Sequence, residues 1–493
     1  MSIKNIFWNF LGVLSSGVLI ILLTPIYIHN LGLESYGILS LWLVLQVLMA
    51  VLDLGFGATL VKELAKSQKL VSEKEYEKDL LKTLEFFYWI LSLLIIGILF
   101  FISPWISTNW LKIEKLNSKD VSLILILMSF SLGFQFPFSL YSNGLLGLNK
   151  QLTLNIIIIL GNILRHLIGV FIVLKYNNLI YFFSAQALLS IGLTLISRAL
   201  LWGNLQSNYS PKINFLILSK VLNFSLGMAL TTIVSVIMAN ADRIILSKMV
   251  LLSEVGIYSI AFTATGLLQL IIQPFYRTFY PLYSESVVSK TDAEIHKQYF
   301  DSTKLFSILF FPISLSAFFF APHLFEFWLG KENEQTILIF RLLIIGITLS
   351  GLTWLPVAFQ QANGWSTLHF KIISLALIIG IPVSIIMIKA FGSVGASTLW
   401  LIHGVLDFTV CIWLMHKKLL VGKYLSWLKN SIIFEFIISF VVTYVFYLVM
   451  PQFQNLYNKV LYIIFSGSMS LLLTFFFSGF SLSNLFIYKG LPK

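Results

Sequence analysis

The sequence predicts an all-α membrane protein with about fourteen transmembrane helices, and three observations support this fold class. Only 11% of its 493 residues are charged, whereas soluble domains carry about 25%. Apolar segments long enough to cross a bilayer, which takes about 20 residues, recur along the whole chain. The two halves also share matching residues at a nearly constant spacing. A water-soluble enzyme of this length could not cover its surface with so few charges, so we exclude that class.

The apolar segments predict the order of the helices. Backbone groups in hydrocarbon must be hydrogen-bonded within their own segment, so each segment is predicted to be a helix. The segments are continuously apolar rather than alternating, which disfavours a β-barrel. The predicted spans are 6–28, 36–60, 83–104, 121–147, 152–174, 178–201, 219–241, 255–280, 302–322, 336–361, 366–388, 394–415, 430–450 and 457–484. The longest connections between them are 61–82, 202–218 and 281–301.

The distribution of Lys and Arg predicts which side of the membrane each loop faces. If the N-terminus is cytoplasmic, the inner loops carry 22 of these residues and the outer loops carry 10. Cytoplasmic loops of membrane proteins are enriched in positive charge. We therefore predict a multi-pass protein of the cell inner (cytoplasmic) membrane with both termini in the cytoplasm.

Composition argues against nucleic-acid and metal sites. The net charge of +12 comes from lysines that lie between apolar segments rather than on one face, and the positive-inside bias explains it. The single cysteine, Cys411, lies within an apolar segment, so neither a disulfide framework nor a cysteine-rich metal site is expected. We predict no cofactor, no metal site and no nucleic-acid partner.

Matching residues indicate that the chain is internally doubled. The offset between the matching sets is 214, 218 or 219 residues, and the sets follow the same order in both halves. At an offset of 214, Asn9-Phe10 matches Asn223-Phe224, and Asn149 and Leu154 match Asn363 and Leu368. Phe100-Phe101, Pro104 and Trp110-Leu111 match Phe318-Phe319, Pro322 and Trp328-Leu329, and Leu33, Gly37, Ile38 and Ser40 match Leu252, Gly256, Ile257 and Ser259. We therefore predict two six-helix lobes, residues 1–210 and 211–424, followed by two additional transmembrane helices in 425–493.

The repeat unit has six spans, so both copies enter the membrane in the same sense. Parallel repeats of this kind are related by an axis along the membrane normal, with the substrate path at their interface. The duplication could also record ancestry alone. A doubled bundle of membrane helices is nevertheless more typical of a transporter than of an enzyme.

Several stretches resemble the signatures of a known family. They are Thr24-Pro25-Ile26-Tyr27, Leu31-Gly32, Glu34, Tyr36-Gly37-Ile38, Leu52-Asp53-Leu54-Gly55-Phe56-Gly57, Leu145-Leu146-Gly147-Leu148-Asn149-Lys150-Gln151, Ala241-Asp242-Arg243-Ile244-Ile245-Leu246 and Val255-Gly256-Ile257-Tyr258-Ser259-Ile260-Ala261. Over about residues 5–420 the chain resembles the polysaccharide (O-antigen unit, Wzx-type) flippases. These belong to the MATE-like multidrug/oligosaccharidyl-lipid/polysaccharide exporter superfamily.

The resemblance implies a MATE-like fold and a transport function without enzymatic activity. It implies a substrate of undecaprenyl-diphosphate-linked oligosaccharide repeat units, moved from the cytoplasmic to the outer leaflet for O-antigen or capsule biosynthesis. Membrane lipids, a polysaccharide polymerase and a chain-length regulator are the partners expected on this basis. Three alternatives stay open: a drug/cation antiporter of the same fold, a membrane glycosyltransferase or polymerase of the same pathway, and a scaffold that transports nothing.

Arg165 is the sharpest candidate for substrate binding. It lies near the middle of the predicted span 152–174, with His166 beside it. An ionisable group at that depth costs about 2.5–3.5 kcal/mol, so it usually faces protein or a water-filled cavity. A guanidinium can make two parallel hydrogen bonds to phosphate oxygens. The alternatives are an arginine paired with a buried carboxylate for packing alone, or one that reaches outward to the headgroups.

The other charged residues of the spans give weaker predictions. Asp53 is placed about 13 Å inside the inner edge of span 36–60, at 1.5 Å per residue, where it could be a cation or proton site or the partner of an arginine in a lobe. The residues His403 and Asp407 are four apart and share a helix face, so they could relay protons, or could simply join two helices. The coupling ion itself is left open between H⁺ and Na⁺. The candidate substrate contacts are Arg165, His166, Arg243 and Arg277, and the candidate ion-coupling residues are Asp53, Asp242, His403 and Asp407.

Three of these charged residues, together with two glutamates, also have purely structural interpretations. The neighbours Asp242 and Arg243 are not expected to face each other, because adjacent helix residues point apart; either lines the exit or meets headgroups. The side chain of Arg277 would meet an incoming headgroup or anchor the inner end of its span. We predict that Glu85 and Glu435 extend to the inner membrane surface, since both lie near lysines.

Overall fold

The computed structural model describes residues 3–53, 55–67, 74–205, 209–330 and 333–480. Within these ranges the chain is helical apart from short connections, and the described residues contain no strand. The all-α fold class is therefore confirmed.

In the described residues up to 289, the chain forms eight α-helices. They are α1 (Ile3–Leu52), α2 (Phe56–Ser67), α3 (Lys74–Trp105), α4 (Ser118–Gly147), α5 (Gln151–Tyr176), α6 (Leu179–Asn204), α7 (Phe215–Met249) and α8 (Leu252–Ser289). A π-helical segment, Ile106–Trp110, continues α3.

The remaining helices are shorter and more often interrupted. They are α9 (Asp292–Phe319), α10 (Ala321–Leu329), α11 (Glu334–Leu352), α12 (Trp354–Ala362), α13 (Thr367–Phe391), α14 (Ser393–Ala396), α15 (Thr398–Leu406), α16 (Ile412–Leu419), α17 (Tyr424–Leu428), α18 (Phe434–Leu448) and α19 (Leu456–Phe477). Two π-helical segments, Asp407–Cys411 and Lys429–Ile433, join α15 to α16 and α17 to α18.

Twelve helical stretches in the described residues are long and apolar enough to cross a membrane. The first of them, 19–49, contains Gly32, whose backbone leaves the helix at φ 82° and ψ 170°. The two predicted spans 6–28 and 36–60 therefore share α1 with a kink between them. Helix α7 covers the predicted span 219–241 but is not among the twelve. The total of fourteen stays a prediction.

Two expected boundaries are wrong. The predicted span 36–60 is interrupted, because α1 ends at Leu52 and Gly55, with φ of 80°, turns the chain into α2. The expected loop 281–301 is mostly helical. Here α9 begins early because Thr291 and Glu294 form a capping box, in which the Glu294 carboxylate accepts the Thr291 backbone N–H at 3.0 Å.

The chain divides into two compact units, residues 1–259 and 260–493. In the first unit, α4 lies at the centre and packs against α2, α3 and α6. In the second unit, α11 packs against α15, and α18 packs against α9 and α19. The predicted lobe boundaries at residues 210 and 424 describe sequence repeats rather than compactness, and they stay a prediction.

Matching residues of the two repeats contact each other reciprocally within the first unit. A Cβ atom on Gly37 would lie 2.4 Å from the carbonyl oxygen of Leu252. A Cβ atom on Gly256 would lie 2.2 Å from the carbonyl oxygen of Leu33. Leu33 matches Leu252, and Gly37 matches Gly256, so each repeat supplies the same glycine to the same backbone contact. Only glycine allows α1 and α8 to approach this closely.

Glu34, one of the family-signature residues, fixes the chain beside the kink in α1. Its buried carboxylate accepts the backbone N–H groups of Glu114, Lys115 and Leu116 at 2.7, 2.9 and 3.2 Å. A carboxylate that accepts three backbone N–H groups makes a strong interaction. Glu34 therefore holds the start of the second half of α1 against the connection between α3 and α4.

Candidate functional site

Arg165 and His166 line a cavity of about 220 Å³ in the first unit. Its walls come from α1, α4, α5 and α6. Of the eight residues predicted to bind substrate or ion, only these two line it. Neutral side chains supply the rest of its polar surface, including Gln46, Gln135, Asn162 and Gln186, and aromatic rings supply much of its apolar surface, including Tyr27 and Trp42.

The Arg165 guanidinium points into the protein and is held by α6. Its Nη2 donates to the Ser190 hydroxyl at 2.9 Å, and its Nη1 donates to the Gln186 side-chain oxygen at 3.4 Å. The Gln186 amide nitrogen in turn donates to the Arg165 carbonyl at 3.1 Å. No carboxylate of the described residues forms an ion pair with Arg165. The two structural alternatives, a buried acid partner and an outward-reaching head group, are therefore wrong.

The neutral residues around Arg165 were missed by the sequence reasoning. Gln46, Gln135, Asn162 and Gln186 are amides within otherwise apolar helices. A polar side chain in a membrane span is costly and usually faces the bundle interior. Amides at the middle of spans were therefore a usable signal, but only the charged residues were considered.

Asp53 lies at the break between α1 and α2 rather than within a span. It accepts a hydrogen bond from the Tyr88 hydroxyl of α3, and its second oxygen accepts the Gly57 backbone N–H at 3.3 Å. No Lys or Arg nitrogen of the described residues lies within ion-pair distance of it. The carboxylate therefore caps α2 and contacts a tyrosine, without an arginine partner.

The two glutamates expected to reach the membrane surface are buried, so that prediction is wrong. The Glu85 side chain is 4% exposed and accepts Arg198 Nε at 2.5 Å and the Tyr141 hydroxyl at 2.7 Å. Glu435 is 0% exposed and lies 3.6 Å from Lys304 Nζ. In both places a cation from another helix brings the acid inward, since a buried carboxylate needs a partner.

Asp242 and Arg243 also differ from expectation, because they do contact each other. Arg243 Nε lies 3.9 Å from an Asp242 carboxylate oxygen. The long arginine side chain folds back along α7, where its Nη2 donates to the Asn240 side chain at 2.7 Å. Asp242 is fully buried and accepts the Tyr258 hydroxyl at 2.5 Å, so it does not meet headgroups. Arg277 is exposed on α8.

His403 and Asp407 lie together as predicted and belong to a larger cluster in the second unit. His403 Nε2 is 3.2 Å from Asp407, and His369 of α13 is 3.8 Å from its other oxygen. Asp407 begins the π-helical segment that ends at Cys411. One ligand atom each of His369, Asp407 and Cys411 lies within 4.8 Å of the others. Among the described residues, this group could hold a cation.

Close helix packing and a widened helical turn build this cluster. A Cβ atom on Gly404 would lie 2.3 Å from the Gly346 carbonyl oxygen, so α15 and α11 touch backbone to backbone beside His403. The π-helical segment then changes the register of the following side chains; such segments are frequent at functional sites. His369 was missed because it lies 38 residues before Asp407 in the sequence, and Cys411 was missed because a single cysteine within an apolar segment did not predict a metal site.

Comparisons with known proteins agree with this architecture. Residues 2–287, more than half of the chain, match the model of a family described as "Polysaccharide biosynthesis protein". A Shigella flexneri protein named "Putative O-antigen transporter" is 23% identical over 423 residues, which are 84% of this chain and 97% of that protein.

Two solved structures share the fold. The first is "Lipid II flippase MurJ, inward closed conformation", with a TM-score of 0.72, 15% identity, and coverage of 96% of this chain and 98% of that one. The second is an inward-facing multidrug resistance MATE family transporter of the MOP superfamily, with a TM-score of 0.66, 14% identity, and coverage of 85% and 99%. The predicted MATE-like fold is therefore confirmed.

Proposed function

Because this chain belongs to the polysaccharide biosynthesis protein family, we propose that it translocates undecaprenyl-diphosphate-linked oligosaccharide repeat units across the inner membrane. The chain is a multi-span membrane transporter of flippase type in the MOP superfamily, and it is not an enzyme. Its substrate in this proposal is delivered from the cytoplasmic to the outer leaflet for O-antigen or capsule assembly.

The observation that carries the proposal is that Arg165, at mid-span, lines a cavity and has no acid partner among the described residues. Arg165 is held by neutral groups on α6, which orient the guanidinium and leave its positive charge uncompensated. A diphosphate is the part of the substrate that membranes exclude most strongly. A guanidinium binds phosphate oxygens by charge-assisted hydrogen bonds. Arg165 would therefore stabilise the diphosphate at the depth where water is scarcest, with His166 beside it.

The same cavity disfavours a drug/cation antiporter. Aromatic rings attract organic cations, but a fixed positive charge beside the rings opposes that attraction. The described lining contains Arg165 and no Asp or Glu. An arginine in the wall repels cationic substrates and attracts anionic ones, so the flippase proposal fits the lining better.

In this proposal, transport occurs by alternating access. The lobes 1–210 and 211–424 would rock about their interface and open the polar path first inward and then outward. The polyprenyl chain would stay in lipid while the diphosphate and glycan cross, and the last two helices, in 425–493, would stand outside the repeat. The reciprocal contact of Gly37 and Gly256 with the matched leucines supports a two-fold relation between the repeats.

Coupling to an ion gradient is part of the proposal. Asp407, between His403 and His369, offers a buried carboxylate for a coupling H⁺ or Na⁺, and Asp53 and Asp242 are further candidates. Arg277, exposed on α8, is proposed to meet an incoming headgroup, and Arg243 to contact substrate later along its path. Transport in proteoliposomes should then respond to an imposed proton or sodium gradient; indifference to both would reject coupling.

The proposal is tested by deleting the gene and locating its lipid-linked glycan. We expect the glycan to accumulate on the cytoplasmic leaflet and surface polysaccharide to be lost, with restoration by the wild-type chain but not by Arg165→Met. Arg341→Met is the matched control, because Arg341 donates to the Phe318 carbonyl at 3.1 Å and does not line the cavity. Normal surface polysaccharide in the Arg165→Met strain would contradict the proposal.

Cellular location and partners complete the proposal. Both termini are placed in the cytoplasm, and a polysaccharide polymerase and a chain-length regulator are proposed to act with this chain on the same glycan. Reporter fusions at each terminus, one active only in the cytoplasm and one only outside it, test the orientation. Cross-linking in cells followed by identification of bound proteins tests the partners.

A further inference from the structure

Two polar atoms in the Arg165 cavity lack hydrogen-bond partners. Trp42 is 8% exposed, and its indole N–H has no acceptor among the described residues. The Gln135 side-chain oxygen is also buried and has no donor in the part of the chain that the structure describes. Both residues line the same cavity as Arg165. A buried donor or acceptor without a partner costs about 1–3 kcal/mol, so an occupant that pairs with both atoms would be favoured.

The chemistry of the two atoms selects the occupant. Trp42 can only donate, and the Gln135 oxygen can only accept. A phosphate group without its proton accepts hydrogen bonds but cannot donate one to Gln135. A hydroxyl group does both, and a sugar ring presents several hydroxyls at fixed positions. A polyol therefore fits this pair of atoms better than an anion or a hydrocarbon does.

Aromatic rings give the cavity a wall that suits the apolar face of a sugar. Trp42 and Tyr27 line it, and both pack edge-to-face on Phe182, with ring centroids 6.2 and 5.9 Å apart. This packing fixes the rings, so little conformational entropy is lost when a ligand stacks on them. Rigid aromatic residues that carry one polar atom are common anchors in binding sites.

We propose that this cavity is a sugar subsite, which binds the pyranose ring attached to the diphosphate by hydrogen bonds to Trp42 and Gln135. The Arg165 guanidinium has five N–H donors, of which Ser190 and Gln186 occupy two. Its remaining donors bind the adjacent phosphate. The subsite rests on the proposed function. It adds to that function that the protein binds the first sugar through residues other than those that bind the diphosphate.

The experiment uses three probes to measure binding of the sugar separately from binding of the diphosphate. The purified full-length protein is titrated with geranylgeranyl diphosphate, and with the same lipid carrying one N-acetylglucosamine or one galactose. The wild type should bind at least one sugar-bearing probe more tightly than the sugar-free lipid. Trp42→Phe and Gln135→Met should each lower the affinity for that probe by roughly three- to ten-fold, the value of one hydrogen bond. Neither substitution should change the affinity for the sugar-free lipid.

Controls distinguish failure of the subsite from failure of the transport proposal. Arg165→Met should lower the affinity for all three probes. Trp413→Phe, which changes an exposed tryptophan of the second unit, should lower the affinity for none of them. Thermal unfolding of each variant shows that it is folded. The subsite is refuted if the sugar adds no affinity in the wild type, or if Trp42→Phe and Gln135→Met weaken the sugar-free lipid equally. Absence of binding by all three probes would refute the proposed function itself.

Discussion

Two arginines on neighbouring helices of the first unit have opposite surroundings. Arg198 on α6 lies 2.5 Å from the buried Glu85 carboxylate. Arg165 on α5 is held by Ser190 and Gln186, which carry no charge. An acid partner neutralises a guanidinium permanently, whereas neutral partners orient it and leave its charge for a ligand. We infer that Arg198 stabilises the fold and that Arg165 serves binding.

The largest expected effect on stability comes from removing Arg198. In Arg198→Met the Glu85 carboxylate stays buried without its main cation, which should cost about 3 kcal/mol of the free energy of unfolding. Unfolding in mixed detergent measures this loss. The double variant Glu85→Gln with Arg198→Met should recover most of it, since the buried charge is gone. If Arg198→Met unfolds like the wild type, the pair is not structural and the comparison fails.

The same substitution at Arg165 should lower the flipping rate and leave the stability of the fold nearly unchanged. Arg165→Met should unfold nearly as the wild type does, because it breaks hydrogen bonds to neutral groups and frees no buried acid. Flipping rates in proteoliposomes should fall by about 10- to 100-fold, the value of a charged hydrogen bond. The flipping rate of Arg165→Lys should lie between those of the wild type and Arg165→Met, because an ammonium keeps the charge but lacks the planar fork of donors. An Arg165→Met variant with full activity would make both arginines structural.

A smaller effect is expected at Gly37, where α1 packs against α8 beside the Arg165 cavity. Gly37→Ala places a methyl group 2.4 Å from the Leu252 carbonyl oxygen, and such overpacking costs about 1–3 kcal/mol. Tyr36 and Ser40, on either side of Gly37, line the cavity, so flipping should slow as well. Gly97→Ala is the matched control, since a Cβ atom there meets nothing within 4 Å. Equal melting temperatures for the two variants would show that the repeats do not need this close contact.

The smallest effect on stability is expected in the second unit. Asp407→Asn removes a carboxylate that has no Lys or Arg partner among the described residues, so the fold should tolerate it. What should disappear is the response of flipping to an imposed proton or sodium gradient, measured in proteoliposomes, while flipping without a gradient continues. A variant that keeps the full response would place the coupling ion elsewhere, and Asp53→Asn and Asp242→Asn are the next variants to measure.

The sequence was sufficient for features that depend on local pattern. Scarce charge and long apolar segments predicted the helices, whereas the division into two six-helix repeats, drawn from ordered matches such as Gly37 with Gly256, stays a prediction. The depth of Arg165 within a span predicted that its head group would face protein. Each of these follows from hydropathy or spacing along one segment, which the membrane itself constrains.

The partners of the charged side chains were decided by tertiary structure. Glu85 and Glu435 were expected at the membrane surface, but Arg198 and Lys304 come from helices more than a hundred residues away. The sequence likewise did not predict that His369 and Cys411 lie beside Asp407, or that the polar atoms of Trp42 and Gln135 lack hydrogen-bond partners among the described residues. These helices are apolar on nearly every side, so their sequences do not tell which side faces protein. Only the crossing of the helices decides which polar groups meet, because each buried charge must find its partner on another segment.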